Sequence, residues 1–113
     1  MYIPQKMASA TVDVVEAGSN RLEVKGALTF VTARRAHEAG LHFLHASSSR
    51  EALTVDCAGV GESDSAGLAV LIEWLAAATK QGRSIQYSNL PPGILAAAKI
   101  SDVEAILGLA TTA

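Results

Sequence analysis

Residues Thr54–Leu75 read T-V-D-C-A-G-V-G-E-S-D-S-A-G-L-A-V-L-I-E-W-L. Leu53, Val55 and Cys57 alternate with polar neighbours, so Leu53–Cys57 reads as a strand. Gly59 and Gly61 read as a Gly-rich turn. From Asp64 the pattern becomes helical, and Gly82 marks the stop near Lys80. Asp64 and Ser65 are both residue types that cap helices. At about 100° per residue, Leu68, Leu71, Ile72 and Leu75 form one stripe. That stripe is expected to face a sheet. The opposite side carries Ala66, Val70, Trp74 and Ala77, with Glu73 among them. A helix apolar on both sides must bury both. Either the last helix covers the second side, or Val70 and Trp74 form an exposed patch for a partner. Of the two, we expect the partner surface.

Outward from this centre the chain alternates strands and helices. Thr11–Val15 suggests a first strand, and Arg21–Lys25 alternates with Leu22 and Val24 on one face. The turn signal Ala17–Asn20 joins them as a hairpin. Gly26–Thr29 is expected to break the second strand. Thr29 or Thr32 then caps a helix running to about Ala46, with His37, Glu38, His42 and His45 on its polar side. After the central helix, Ser84–Ser88 alternates as a strand. Asn89 is expected to cap a short helix with Pro91 or Pro92 in its first turn, ending near Lys99. Ser101 and Glu104 have capping-box spacing, which predicts a last helix over Asp102–Leu107. The expected order is ββαβαβαα, an α/β fold.

With 113 residues, half of them hydrophobic, the chain is long enough for one packed domain. We expect residues 1–10 to be a tail, 11–108 the domain and 109–113 a second tail. Net charge is −2 with no basic stripe, which argues against a nucleic-acid surface. Cys57 is the single cysteine. No disulfide within the chain is possible, and a buried structural thiol is expected. No apolar run reaches the ~18 residues of a membrane span, so a cytoplasmic protein without membrane insertion is expected.

G-V-G-E-S-D-S-A-G invites two enzyme readings. A phosphate-binding P-loop needs Gly-Lys-Ser/Thr after its glycines, which is missing. A nucleophile elbow needs Gly two residues before the serine, where Ser63 stands. All three histidines precede Ser65, the reverse of that fold's chain order. Glu38, His42 and His45 share a helical face but make a thin ligand set for zinc, so a solvated face is expected and no metal. Neither an enzyme nor a cofactor is expected. A phosphate on Ser65 would meet free N–H groups and the positive end of the helix dipole, so Ser65 is a candidate switch.

V-D-C-A-G-V followed by D-S-A-G-L-A-V-L resembles the signature of STAS domains, the family of anti-sigma factor antagonists and sulfate-transporter tails. The resemblance covers about residues 11–107. It implies a mixed sheet of about four strands with helices packed mainly on one face. K-G-A-L-T at Lys25–Thr29 stands where the family often has G-E-L-D, without the aspartate. Glu62-Ser63 replaces an apolar pair. S-A-G-L-A-V-L-I-E-W-L at Ser65–Leu75, S-N-L-P at Ser88–Pro91 and A-K-I-S-D-V-E-A-I-L at Ala98–Leu107 look most like the MlaB type. That resemblance implies a non-enzymatic cytoplasmic subunit that binds the MlaF-type ATPase of a phospholipid ABC transporter and, through it, the membrane permease. Such a complex maintains lipid asymmetry of the outer membrane. The implied contact residues are Thr29, Ser63, Asp64, Ser65, Ala66, Gly67, Val70, Glu73, Trp74 and Ala77. The alternative within the family is an anti-sigma factor antagonist released by phosphorylation of Ser65. A small hydrolase using Ser65 is the third reading.

Overall fold

The computed structural model describes residues 10–18 and 20–108. The two expected tails therefore lie outside the described residues, apart from Ala10, and so does Ser19 of the predicted turn. The elements are β1 (Val12–Glu16), β2 (Arg21–Leu28), α1 (Ala33–Ala46), β3 (Leu53–Ser63), α2 (Ser65–Lys80), β4 (Ile85–Ser88) and α3 (Pro92–Ile100). The strands form one mixed sheet in the order β1-β2-β3-β4. β1 pairs antiparallel with β2, whereas β2–β3 and β3–β4 are parallel. Each parallel step is crossed by a helix, as such connections require.

Alternation decides which sheet face is covered. Leu22, Val24, Leu53, Val55 and Cys57 are buried beneath the helices. Between them Arg21, Glu23, Lys25 and Asp56 share an ion-pair network on the other face, led by a 2.7 Å bridge from Arg21 to Asp56. Asp56 also accepts from the Asn89 amide and the Ala58 N–H; the Asn89 side chain thus serves the sheet and does not cap α3, whose capping position is Pro91. These bonds, the one from Asn89 foremost, hold the Asp56 carboxyl below the usual carboxylate range.

Two expected strand ends are corrected. β2 runs on through Gly26 to Leu28, and β3 runs on through Gly59 and Gly61 to Ser63. The glycines do not turn the chain; they lie within strands. The Ala27 N–H donates to Thr11 O, which holds this end of β2 in the sheet. In the β2–β3 register Glu23 faces Asp56 but Lys25 faces Gly59, and Gly26 faces Val60 but Leu28 faces Ser63. β3 therefore carries one extra residue at each of two irregularities. A bulge resets which residues face the core. Here it brings Val60 inward three residues after Cys57, and both are buried.

The predicted last helix is also corrected. Asp102 adopts a left-handed φ of 57°. The Asp102 N–H donates to Lys99 O and the Val103 N–H to Ala98 O, the bond pair of a Schellman stop. Beyond it, Ile106, Leu107 and Gly108 each donate to the carbonyl three residues back. These are successive turns, so among the described residues the order is ββαβαβα. The Ser101/Glu104 spacing looked like a helix start but lies across a helix end.

The largest correction concerns Val70 and Trp74. Both are buried, at 4% and 1% exposure. Neither of the two expected arrangements accounts for Trp74, because α1 covers it. Gly40 of α1 lies so close that a Cβ there would run into the indole ring. The indole N–H donates to His37 O at 3.3 Å. Leu22, Gly40, Leu44, Leu53, Val55 and Ile85 line the space around the ring, which is too small to admit a water molecule. A helix apolar on both sides is here the middle of three, packed between α1 and α3 above the sheet.

Cys57 is buried, and burial pushes its thiol up to about 12. The Tyr87 hydroxyl donates to Leu71 O at 2.6 Å and ties β4 to α2. No helix among the described residues is long and apolar enough to cross a membrane.

Candidate functional site

The start of α2 is built around Asp64. Its Oδ1 accepts from the N–H groups of Ala66 and Gly67 at 2.9 and 3.2 Å. Its Oδ2 accepts from the Phe30 N–H at 3.1 Å. One carboxylate thus caps α2 and fixes the segment that leads into α1. Gly67 packs against the end of β2, where a Cβ would strike Leu28 O. Ser63 lies against Gly93 in the first turn of α3, which has no room for a side chain. Thr29 belongs to the same junction: its hydroxyl accepts from the Val31 N–H at 3.3 Å.

Asp64→Ala removes both roles together. Loss of a cap costs about 1–2 kcal/mol, and the freed Phe30 N–H adds to it. We expect a loss of roughly 2 kcal/mol in urea denaturation, with Asp64→Asn recovering part of it. A loss below about 0.5 kcal/mol would remove the junction role assigned to this carboxylate.

The candidate residues sort by what they expose. Ser65 is exposed, and its hydroxyl makes no hydrogen bond among the described residues. Glu73 is exposed, while Ala66 and Ala77 are half-buried. Gly67, Val70 and Trp74 face inward. The open stripe of α2 is therefore Ser65, Ala69, Glu73 and Ala76. Ala69 and Ala76 join the candidate residues on this stripe; their spacing of three and four residues from Ser65 and Glu73 is the signal in the sequence. A shallow groove of about 310 Å³ runs between α1 and α2 and is lined by Ala33, Arg34, His37, Ala66, Ala69, Val70 and Glu73.

The structure adds Phe30 and Val31. They are 82% and 64% exposed on the turn before α1, and the Phe30 backbone is tied to Asp64. Two large apolar side chains thus stand beside the open end of α2. Among the described residues no group of three or more His, Cys, Asp or Glu side chains is placed to hold a metal.

A family model described as Mlab, STAS domain, matches residues 12–109. No curated protein matches the chain. Among solved structures the chain is similar to the anti-sigma factor antagonist SpoIIAA in its unphosphorylated form. That match has a TM-score of 0.66 and 8% identity, covering 83% of each chain. It is also similar to part of SLC26A9, with a TM-score of 0.62 and 12% identity over 76% of this chain. The chain spans 16% of the length of SLC26A9. At such identities the likeness is one of fold.

Proposed function

This chain belongs to the STAS domain family, in its Mlab branch, and from that premise we propose that it is a non-enzymatic accessory subunit. It binds the ATPase of a phospholipid-transporting ABC complex and supports its activity at the inner membrane, maintaining the lipid asymmetry of the outer membrane. The observation that carries this reading is the surface at the start of α2. Ser65, Ala69 and Glu73 form an open stripe of mostly small side chains, and Phe30 and Val31 stand exposed beside it. Small residues let a partner's backbone or helix approach closely, and exposed apolar neighbours supply area to bury.

The test is the affinity of the purified full chain for the ATPase. Ser65→Glu places a charge where the partner would sit, and Ala69→Arg fills the stripe with a long side chain. Each is expected to weaken binding by about 100-fold or more, roughly 2.7 kcal/mol. Both sites are exposed, so thermal stability is expected to stay close to that of the parent. Affinities within twofold of the parent in both variants would remove this surface from the proposal.

A second reading, as an anti-sigma factor antagonist, rests on the free Ser65 hydroxyl and the likeness to SpoIIAA. Incubation with an anti-sigma kinase decides it: transfer of phosphate to Ser65 with release of the complex supports the switch, and an unmodified Ser65 removes it.

A further inference from the structure

We propose that Phe30, Val31, Arg34 and Arg35 form a ledge that receives an acidic, partly apolar segment of the partner protein. This rests on the partner reading above and specifies the chemistry of what docks there. The argument begins with charges placed where the fold gains nothing from them. Arg34 and Arg35 occupy the first turn of α1, which has no acidic residue. The dipole there favours carboxylates and disfavours guanidinium groups.

Local pairing does not compensate. Arg34 reaches Glu38 at 3.6 Å, with both side chains largely in solvent, and a cation preceding the anion is the weaker order for a helix pair. Arg35 is exposed and has no ion pair among the described residues. Thr32, at the capping position, turns its hydroxyl inward: it donates to Ala27 O at 2.7 Å and accepts from the Thr29 N–H. No side chain caps the helix. A local rule broken without a compensating contact marks a place shaped by something other than stability.

The neighbouring groups select the occupant. A hollow of about 400 Å³ is lined by Ala10, Val31, Thr32, Arg34, Arg35 and Glu38. Phe30 and Val31 add exposed apolar surface next to it. Carboxylates on a protein segment complement the two guanidinium groups in bidentate geometry, while an apolar side chain on the same segment covers Phe30. A polyanion such as nucleic acid fits poorly, because the net charge is −2 and Glu38, Glu62 and Glu73 are exposed on the surrounding surface.

The experiment measures binding of the full chain to the ATPase at several salt concentrations. Arg34→Ala/Arg35→Ala is expected to lose about tenfold or more in affinity and to flatten the salt dependence. Phe30→Ala is expected to lose affinity with the salt dependence unchanged. If the double arginine variant binds like the parent while Ser65→Glu does not, the ledge proposal fails and the accessory-subunit reading stands. If the parent chain binds no ATPase, that reading fails, and a second titration decides the ledge alone. There the isotope-labelled full chain meets a synthetic helical peptide carrying Glu and Leu on one face, and then its Lys-for-Glu twin. Amide shifts confined to residues 30–36, seen with the acidic peptide only and lost in the double variant, sustain the ledge. No shifts, or equal shifts with the basic twin, overturn it.

Discussion

Trp74→Ala is expected to destabilise the domain by about 4 kcal/mol, within the range for deleting a large core aromatic. The indole is 1% exposed, and its N–H donates to a backbone carbonyl of α1. Truncation leaves a cavity between α1, α2 and the sheet and removes the side-chain bond that ties α2 to His37 O of α1. The surrounding Leu22, Leu44, Leu53, Val55 and Ile85 come from four elements, so no single side chain moves in to fill the space. For a domain of this size the melting temperature is expected to fall by very roughly 15 °C. Gly40→Ala tests the same contact from the other helix, since the added methyl enters the ring's place; overpacking of this kind costs about 1–3 kcal/mol. Trp74→Phe keeps most of the area and is expected to lose less than half as much. If Trp74→Ala unfolds like the parent protein yet loses partner binding, the indole belongs to the interface and the packing account is wrong.

The same residue shows why parts of the fold were legible and parts were not. Apolar residues on both sides of α2 announced two buried faces, and the structure has both. Periodicity does not say which element covers a face. The decisive feature is Gly40, one small residue in the middle of another helix, which admits the indole edge. In a linear reading Gly40 is only a weak spot in α1. Helix and strand types were recovered wherever periodicity ran long, as in α2 and β2. Errors fell where local chemistry and tertiary pairing disagree. Gly59 and Gly61 carry turn signals, but pairing with β2 keeps them in a strand with two extra residues. Ser101 and Glu104 carry a helix-start signal, but Asp102 in the left-handed region ends α3 instead.

The start of α2 was readable for a similar reason. Asp64 caps through contacts two and three residues ahead, which a local motif encodes. Its second oxygen reaches Phe30, 34 residues away, and no local motif encodes that. Hence Ser65 and Asp64 were singled out from sequence, whereas the ledge on α1 emerged only with the fold.

Arg83 carries the other large expected effect, and the sequence gives no hint of it. Gly82, at φ 73°, ends α2. The Gly82 N–H donates to Thr79 O and the Arg83 N–H to Ala78 O, a Schellman stop that turns the Arg83 side chain under the domain. The residue is 2% exposed. Its Nε donates to Glu51 O at 2.7 Å, its other nitrogens to Asn20 Oδ1 and Ser47 Oγ, and its guanidinium stacks 5.8 Å from the Phe43 ring. One fork thus joins the β1–β2 turn, the loop before β3 and the end of α2. Burial lowers its pKa, yet a guanidinium stays charged at any working pH. Removing it takes the donors from Glu51 O, Ser47 Oγ and Asn20 Oδ1 together. Arg83→Ala is expected to cost about 3 kcal/mol in denaturant unfolding, and Arg83→Lys, which keeps the charge but loses the fork, about half of that. Arg83→Met separates the contributions by keeping bulk without donors. If Met proves as stable as Arg, the pocket needs only volume, and the three-way fork is not what holds these segments together.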